Sequence, residues 1–119
     1  MIQAAIHSTI DSIINAFPLV GDIEADFPFA VYSTDQTPLY TKAGITGYEN
    51  LVIITVVDDD NKRGAEKAEL VKAAVLAMEG TIQGTTVDFS RFVQTDTRYD
   101  EVNGLYGIIT QIRVFTQNV

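Results

Sequence analysis

Apolar residues at the start of the chain recur at helical spacing. Most of them are three or four residues apart, which places one apolar stripe along a helix predicted from about residue 2 to 16 and ended by Pro18. The residues of this stripe are Ile2, Ile6, Ile10, Ile13, Ile14 and Phe17.

A second helical pattern follows the middle of the chain and ends near Gly80. Its apolar positions are Ala65, Ala68, Val71, Val75 and Met78. Four residues that favour a helix N-cap precede it: Asp58, Asp59, Asp60 and Asn61. The pattern therefore predicts a helix whose first turn lies beside an acidic run.

Four segments are typical of β-strands. The strongest extends from Tyr48 to Val57, because most of its residues are β-branched. Residues 27–32 form an earlier strand that begins beside a proline, after a turn-rich acidic stretch at residues 21–26. Residues 33–47 are polar and contain two glycines, which predicts a long hairpin connection with some strand in it.

The last two strands are predicted from about Thr86 to Gln94 and from about Tyr106 to Gln117. They face each other across the tight-turn pair Asn103-Gly104. The predicted fold class is therefore α+β, in the order helix-strand-strand-helix-strand-strand. We expect an antiparallel sheet of about four strands with both helices packed on one face.

The second face of such a sheet is also apolar. In the strand from Tyr48 to Val57, Leu51, Ile53 and Val57 alternate with Val52, Ile54 and Val56. In the last strand Ile109 and Phe115 alternate with Ile108 and Val114. Each apolar side chain left in water forgoes roughly 1.5–3 kcal/mol of burial free energy. Two covers are open: an interface with another subunit, or residues 33–47 folded over this face.

Length and charge narrow the function classes. The 119 residues predict a single domain, 1–119. The net charge of −8 argues against specific nucleic-acid binding, which needs clustered Lys and Arg. The absence of cysteine excludes disulfides and thiolate metal sites, and no segment predicts a signal peptide or a membrane span.

Residues that could carry catalysis or bind a cofactor give no coherent pattern. His7 is the sole histidine and has no paired nucleophile, so a surface or interface role is favoured. The run from Asp58 to Asn61 resembles the start of a calcium loop, but Arg63 and Leu70 occupy ligand positions. The run is better explained as a helix N-terminus, and the glycines form no nucleotide-binding motif. We predict a protein that is not an enzyme and has no cofactor or metal.

Several segments together resemble the tail-completion, or tail-terminator, proteins of siphophages and prophages. They are an N-terminal helix, the strands 29–32 and 51–57, the alanine-rich helix from Ala65 to Met78, and the ending 98–106 before a closing strand. The tyrosine-acid-turn-glycine-x-tyrosine element, from Tyr99 to Tyr106, is the most specific part of this likeness. The aspartate run and the long first connection depart from the family pattern.

This resemblance implies an α/β sandwich without enzymatic activity. It implies a homo-oligomeric ring, commonly a hexamer, which caps the tail tube and docks it to the head connector. The partners would be further copies of the chain, tail-tube proteins and head-connector proteins, in the virion tail and, during assembly, in the host cytoplasm. An acidic lumen would suit DNA passage, because repulsion keeps the duplex off the wall. A head-tail connector component, a minor tail protein and a small ligand-binding module outside phages remain alternatives.

The working surface is expected on the first connection and on the outer sheet face. The connection combines aromatic side chains with glycines at its end, and aromatic residues are enriched in interface hot spots. The predicted oligomer-interface residues are Leu39, Tyr40, Lys42, Tyr48, Leu51, Ile53, Ile109 and Phe115.

Overall fold

The structure, a computed structural model, describes residues 2–18 and 26–117. The predicted acidic turn at 21–26 lies outside these residues except for Asp26. In chain order the elements are α1 (Ile2–Asp11), β1 (Asn15–Pro18), β2 (Phe29–Thr41), β3 (Gly44–Asp58), α2 (Asn61–Leu76), β4 (Gly80–Ile82), β5 (Thr85–Asp100) and β6 (Leu105–Gln117).

All strands of the described residues belong to one six-stranded sheet in the order β1-β2-β3-β6-β5-β4. The β1–β2 pair is parallel and the other pairs are antiparallel, so the sheet is mixed. The predicted sheet of about four antiparallel strands is therefore wrong in strand number and in sheet type. The two additional strands, β1 and β4, have only four and three residues, too few for a recognisable alternation.

Both helices pack on one face of this sheet, which we call the helix face. On β3 the even-numbered residues from Asn50 to Asp58 are buried there, while the odd-numbered ones are half-buried on the opposite, outer face. The core forms where Ile6 and Ile10 of α1 and Val71 and Val75 of α2 meet these side chains. Among the described residues, helices cover the sheet on this face only.

The first helix is shorter than predicted. It ends at Asp11, whose carboxylate accepts a hydrogen bond from the Ala16 amide across the following turn. Ile14 and Ala16 are nevertheless buried in the same core, now from the turn and from β1. The apolar stripe thus continues from a helix into a strand, which is why the spacing predicted a helix to residue 16.

Residues 33–47 are strand rather than loop except at their turn. β2 and β3 pair from Phe29↔Val57 to Thr41↔Gly44, with a register shift between Leu39 and Tyr40. The turn contains Gly44 at φ 110°, a conformation that favours glycine. Because this hairpin extends the sheet, it does not fold over the outer face, and that alternative is excluded.

The predicted terminal hairpin is confirmed. β5 pairs antiparallel with β6 from Val87↔Thr116 to Asp100↔Leu105. In its turn, Asp100 Oδ1 accepts hydrogen bonds from the amides of Val102 and Asn103, and Gly104 has φ 67°. The hydrogen bonds from Asn103 hold the pKa of Asp100 below its ordinary value.

Candidate oligomer interface

The outer face of the sheet presents a half-buried apolar surface without a covering element among the described residues. Leu51, Ile53 and Val57 lie on β3, and Ile109 and Phe115 lie beside them on β6. They alternate with fully buried residues of the helix face, such as Val52 and Ile112. The alternation predicted from sequence is therefore confirmed, while its use as an interface stays a prediction.

Aromatic side chains extend this surface at one end, near the start of β2. Phe29 stacks on Phe27 with ring centroids 5.9 Å apart, and Phe17 of β1 meets Phe29 edge-on at 6.2 Å. Each such pair adds about 0.5–1.5 kcal/mol beyond its area burial. The sequence pattern did not indicate Phe17 and Phe27 as members of this face, because the spacing of Phe17 is that of the first helix.

Another aromatic pair lies at the opposite end of the face, on β5 and β6. Phe89 stacks on Phe115 with centroids 4.4 Å apart, and it remains 52% exposed. Beside this pair Arg113 Nε donates to Glu49 Oε1 at 2.8 Å. The outer face thus has an aromatic cluster at each end and an ion pair, Arg113–Glu49, within it.

The hairpin tip carries the other predicted interface residues, and it divides them between two faces. Leu39 pairs opposite Gly47 on the outer face, whereas Tyr48 pairs with Thr116, which is buried on the helix face. Tyr40 is 70% exposed and Lys42 is exposed. The predicted set is therefore not one continuous patch, because Tyr48 lies on the helix face, away from Leu51.

The aspartate run caps α2, as predicted. Asp60 is the N-cap residue, and its carboxylate accepts from the amides of Lys62 and Arg63. Asp58 is fully buried, and both of its oxygens accept from the Arg63 guanidinium. These bonds hold the pKa of Asp58 below its ordinary value, against the opposing effect of burial, and raise the pKa of Arg63. No local sequence pattern indicated this pair.

His7 contacts Tyr32 on the helix face. The Tyr32 hydroxyl lies 3.1 Å from His7 Nδ1, and His7 Nε2 lies 4.0 Å from an Asp11 oxygen. Burial, and secondarily the Asp11 charge, raise the pKa of Tyr32. The three side chains link α1 to β2, and the non-catalytic role of the histidine stays a prediction.

The described residues show neither a metal-binding cluster nor a membrane-spanning helix. They contain no group of three or more His, Cys, Asp or Glu side chains arranged to hold a metal ion. None of their helices is both long enough and apolar enough to cross a membrane.

Comparisons with known proteins show a fold that occurs in a solved structure of a virion. No protein-family model matches the chain, and no curated protein matches it. Among solved structures, the chain is similar to one in a structure described as the virion of a native gene transfer agent (GTA) particle. The TM-score is 0.80 at 15% identity, over 98% of this chain and 94% of that one. At this identity the likeness defines a shared fold across nearly the whole of both chains.

Proposed function

We propose that this chain is a structural protein of a phage-like virion and acts without catalysis. The observation that carries the proposal is the near-complete fold likeness to a chain of a gene transfer agent virion. The apolar outer face supports it, because a monomer gains nothing from leaving two aromatic clusters and an aliphatic strip uncovered.

Within the virion, we propose that the protein forms a homo-oligomeric ring that caps the tail tube and joins the tail to the head. The resemblance of the segments 51–57 and 98–106 to tail-completion proteins supports this role. A cap that ends tube growth predicts a definite loss phenotype. Removing the gene should give tails of uncontrolled length that fail to join heads, visible by negative-stain electron microscopy.

Mass spectrometry of particles purified from the producing strain tests the virion role directly. We expect the chain to be a minor component. Its copy number per particle should be that of one ring, rather than the hundreds of copies expected of a tube or capsid protein. Particles with normal tails and heads that lack the chain would overturn the proposal.

A matched pair of substitutions tests whether the outer face is the working surface. Leu51→Asp places a charge on the outer face, so it should block assembly while the isolated subunit keeps its fold. Val52→Asp, one residue further on, buries an unpaired charge in the core and should unfold the subunit. Light scattering and circular dichroism on both variants separate these outcomes. A Leu51→Asp variant that assembles normally would exclude this face.

A further inference from the structure

The sheet has an unpaired strand edge on each side. β1 pairs with β2 only along Phe29–Tyr32, so residues 33–41 have no neighbour on that side among the described residues. β4 pairs with β5 only along Thr85–Val87, so residues 88–100 are also unpaired there. We call these the β2 edge and the β5 edge. Rows of free N–H and C=O groups at such edges readily pair with another strand.

We infer that in the assembly the β2 edge of one copy pairs with the β5 edge of the next. This inference rests on the proposed ring. Because β2, β3, β6 and β5 alternate in direction, copies placed side by side with the same face outward bring the two edges together antiparallel. The contact uses two different surfaces, so it repeats around a ring rather than stopping at a dimer.

The short strands β1 and β4 restrict the register of this pairing. β1 occupies the position beside residues 29–32, so the neighbour's β5 must end at about the level of Ser33. β4 occupies the position beside residues 85–87, so the neighbour's hairpin tip must stop before that level. Both conditions are met when Ser33 lies opposite Asp100 of the next copy.

Charge complementarity supports this register. Counting along the two edges from that pair places Asp35 directly opposite the next copy's Arg98. Both side chains lie on the outer face of the sheet, because Asp35 is paired with Leu51 and Arg98 is paired with Gly107, two positions of that face. Asp35 has no ionic partner among the described residues, and Arg98 holds only the exposed Asp96, at 3.3 Å. The guanidinium has five N–H donors, so it can donate to a second carboxylate as well.

The geometry of a closed ring agrees with the same register. Within one copy Asp35 lies on a row with Leu51, Arg113 and Arg91. In the inferred contact Asp35 lies level with Arg98 of the next copy instead of with Arg91. Neighbouring copies are therefore displaced by about six rows, roughly 20 Å along the strands. Across four strands, about 19 Å wide, this stagger tilts the strands by about 45°, which lies at the upper end of the range for closed sheets.

Pro38 sets the extent of the new ladder. Proline is tolerated in edge strands where its nitrogen faces away from the sheet, and it leaves that position without a donor. In the inferred pairing the ladder therefore lacks a donor at Pro38, and its uninterrupted part is residues 33–37.

Disulfide trapping tests the register, because the chain has no cysteine of its own. We would oxidise the Asp35→Cys, Arg98→Cys double variant, both as the purified chain and in particles, and run non-reducing gels. Within one copy the two positions are three strands apart, about 14 Å across the sheet, too far for a disulfide. We expect a ladder of covalent oligomers, and none from the matched Asp35→Cys, Arg91→Cys control.

Each result has one meaning. A variant that enters particles without forming the ladder overturns the edge pairing and leaves the proposed function intact. A ladder from the Arg91 control instead of the Arg98 variant overturns the register. Absence of the wild-type chain from particles overturns the proposed function, whereas a ladder in the purified chain still supports the edge pairing.

Discussion

The Asp58–Arg63 pair should be the largest electrostatic contribution to the stability of the subunit. We consider the change Asp58→Asn, which keeps the size of the side chain but removes its charge. Asparagine has one acceptor oxygen where aspartate has two, so its amide group would face a guanidinium donor without forming a bond. The variant loses one charge-assisted hydrogen bond and weakens the others.

The magnitude follows from the burial of the two partners. A hydrogen bond to a charged group contributes about 1.5–3 kcal/mol. Asp58 is fully buried, but the Arg63 side chain is 46% exposed, so water screens part of the interaction. We expect a loss of about 2 kcal/mol from a domain stability of roughly 5–15 kcal/mol. For a chain of this size that lowers Tm by roughly 6–10 °C.

The pH dependence gives an independent check on the same pair. Because the folded-state pKa of Asp58 is depressed, its contribution is present above the unfolded pKa, about 3.9, and is lost as pH falls through the folded value. The Asp58→Asn variant lacks this titration, since an amide does not ionise in this range. The stability difference between wild type and variant should therefore be constant near neutrality and shrink below about pH 4.

Urea unfolding at neutral and acidic pH measures both quantities. Glu66→Gln is the matched control, since it makes the same charge change on the exposed surface of α2, where no described group pairs with it. If Asp58→Asn and Glu66→Gln have equal stability at pH 7, or if the difference grows on acidification, the buried pair does not stabilise the fold in this way.

Three further substitutions separate interface from fold. Tyr40→Ala should weaken assembly by about 2 kcal/mol or more, while Tm of the subunit stays nearly unchanged because the side chain is 70% exposed. Light scattering measures assembly and thermal melts measure Tm. A lower Tm with unchanged assembly would contradict this prediction. Asp60→Ala removes the α2 N-cap and should cost about 1 kcal/mol in urea unfolding without altering assembly. Gly64→Ala places a Cβ 3.1 Å from both the Asp58 Cβ and the Ile108 Cδ1, so it should lower Tm despite better helix propensity; a higher Tm would mean that the helix shifts freely.

The strongly patterned segments were predictable from sequence, because each encodes its own environment. The β-branched run of β3 alternates between two apolar faces, and the structure confirms that alternation at Leu51 and Val52. The aspartates before α2 predicted a cap, and Asp60 provides it. In both cases the signal is local, since a strand period or an N-cap depends on neighbouring residues alone.

The missed features depend on contacts that are distant in sequence. Residues 33–41 carry little apolar alternation, and they are strand because β3 offers a pairing partner that no local pattern reveals. β1 is held by parallel pairing with β2, and Phe17 reaches the outer face only through that pairing. Tyr48 was added to the interface set for its aromatic character, which does not specify a face, and so it was grouped with Leu51, which the strand alternation had placed on the outer face.

The shape of the subunit links these missed strands to its proposed role. The Cα trace measures 52 × 26 × 22 Å, and its radius of gyration of 15.0 Å exceeds the roughly 13.5 Å expected of a compact chain of this length. The 16 residues of β5 extend about 53 Å, whereas the 16 residues of α2 cover only about 24 Å. About half the length of such a strand extends beyond the helix that packs on it, and these ends are polar and have unpaired edges. A lone subunit gains little core from those ends, so we expect that in the proposed ring they contact neighbouring subunits.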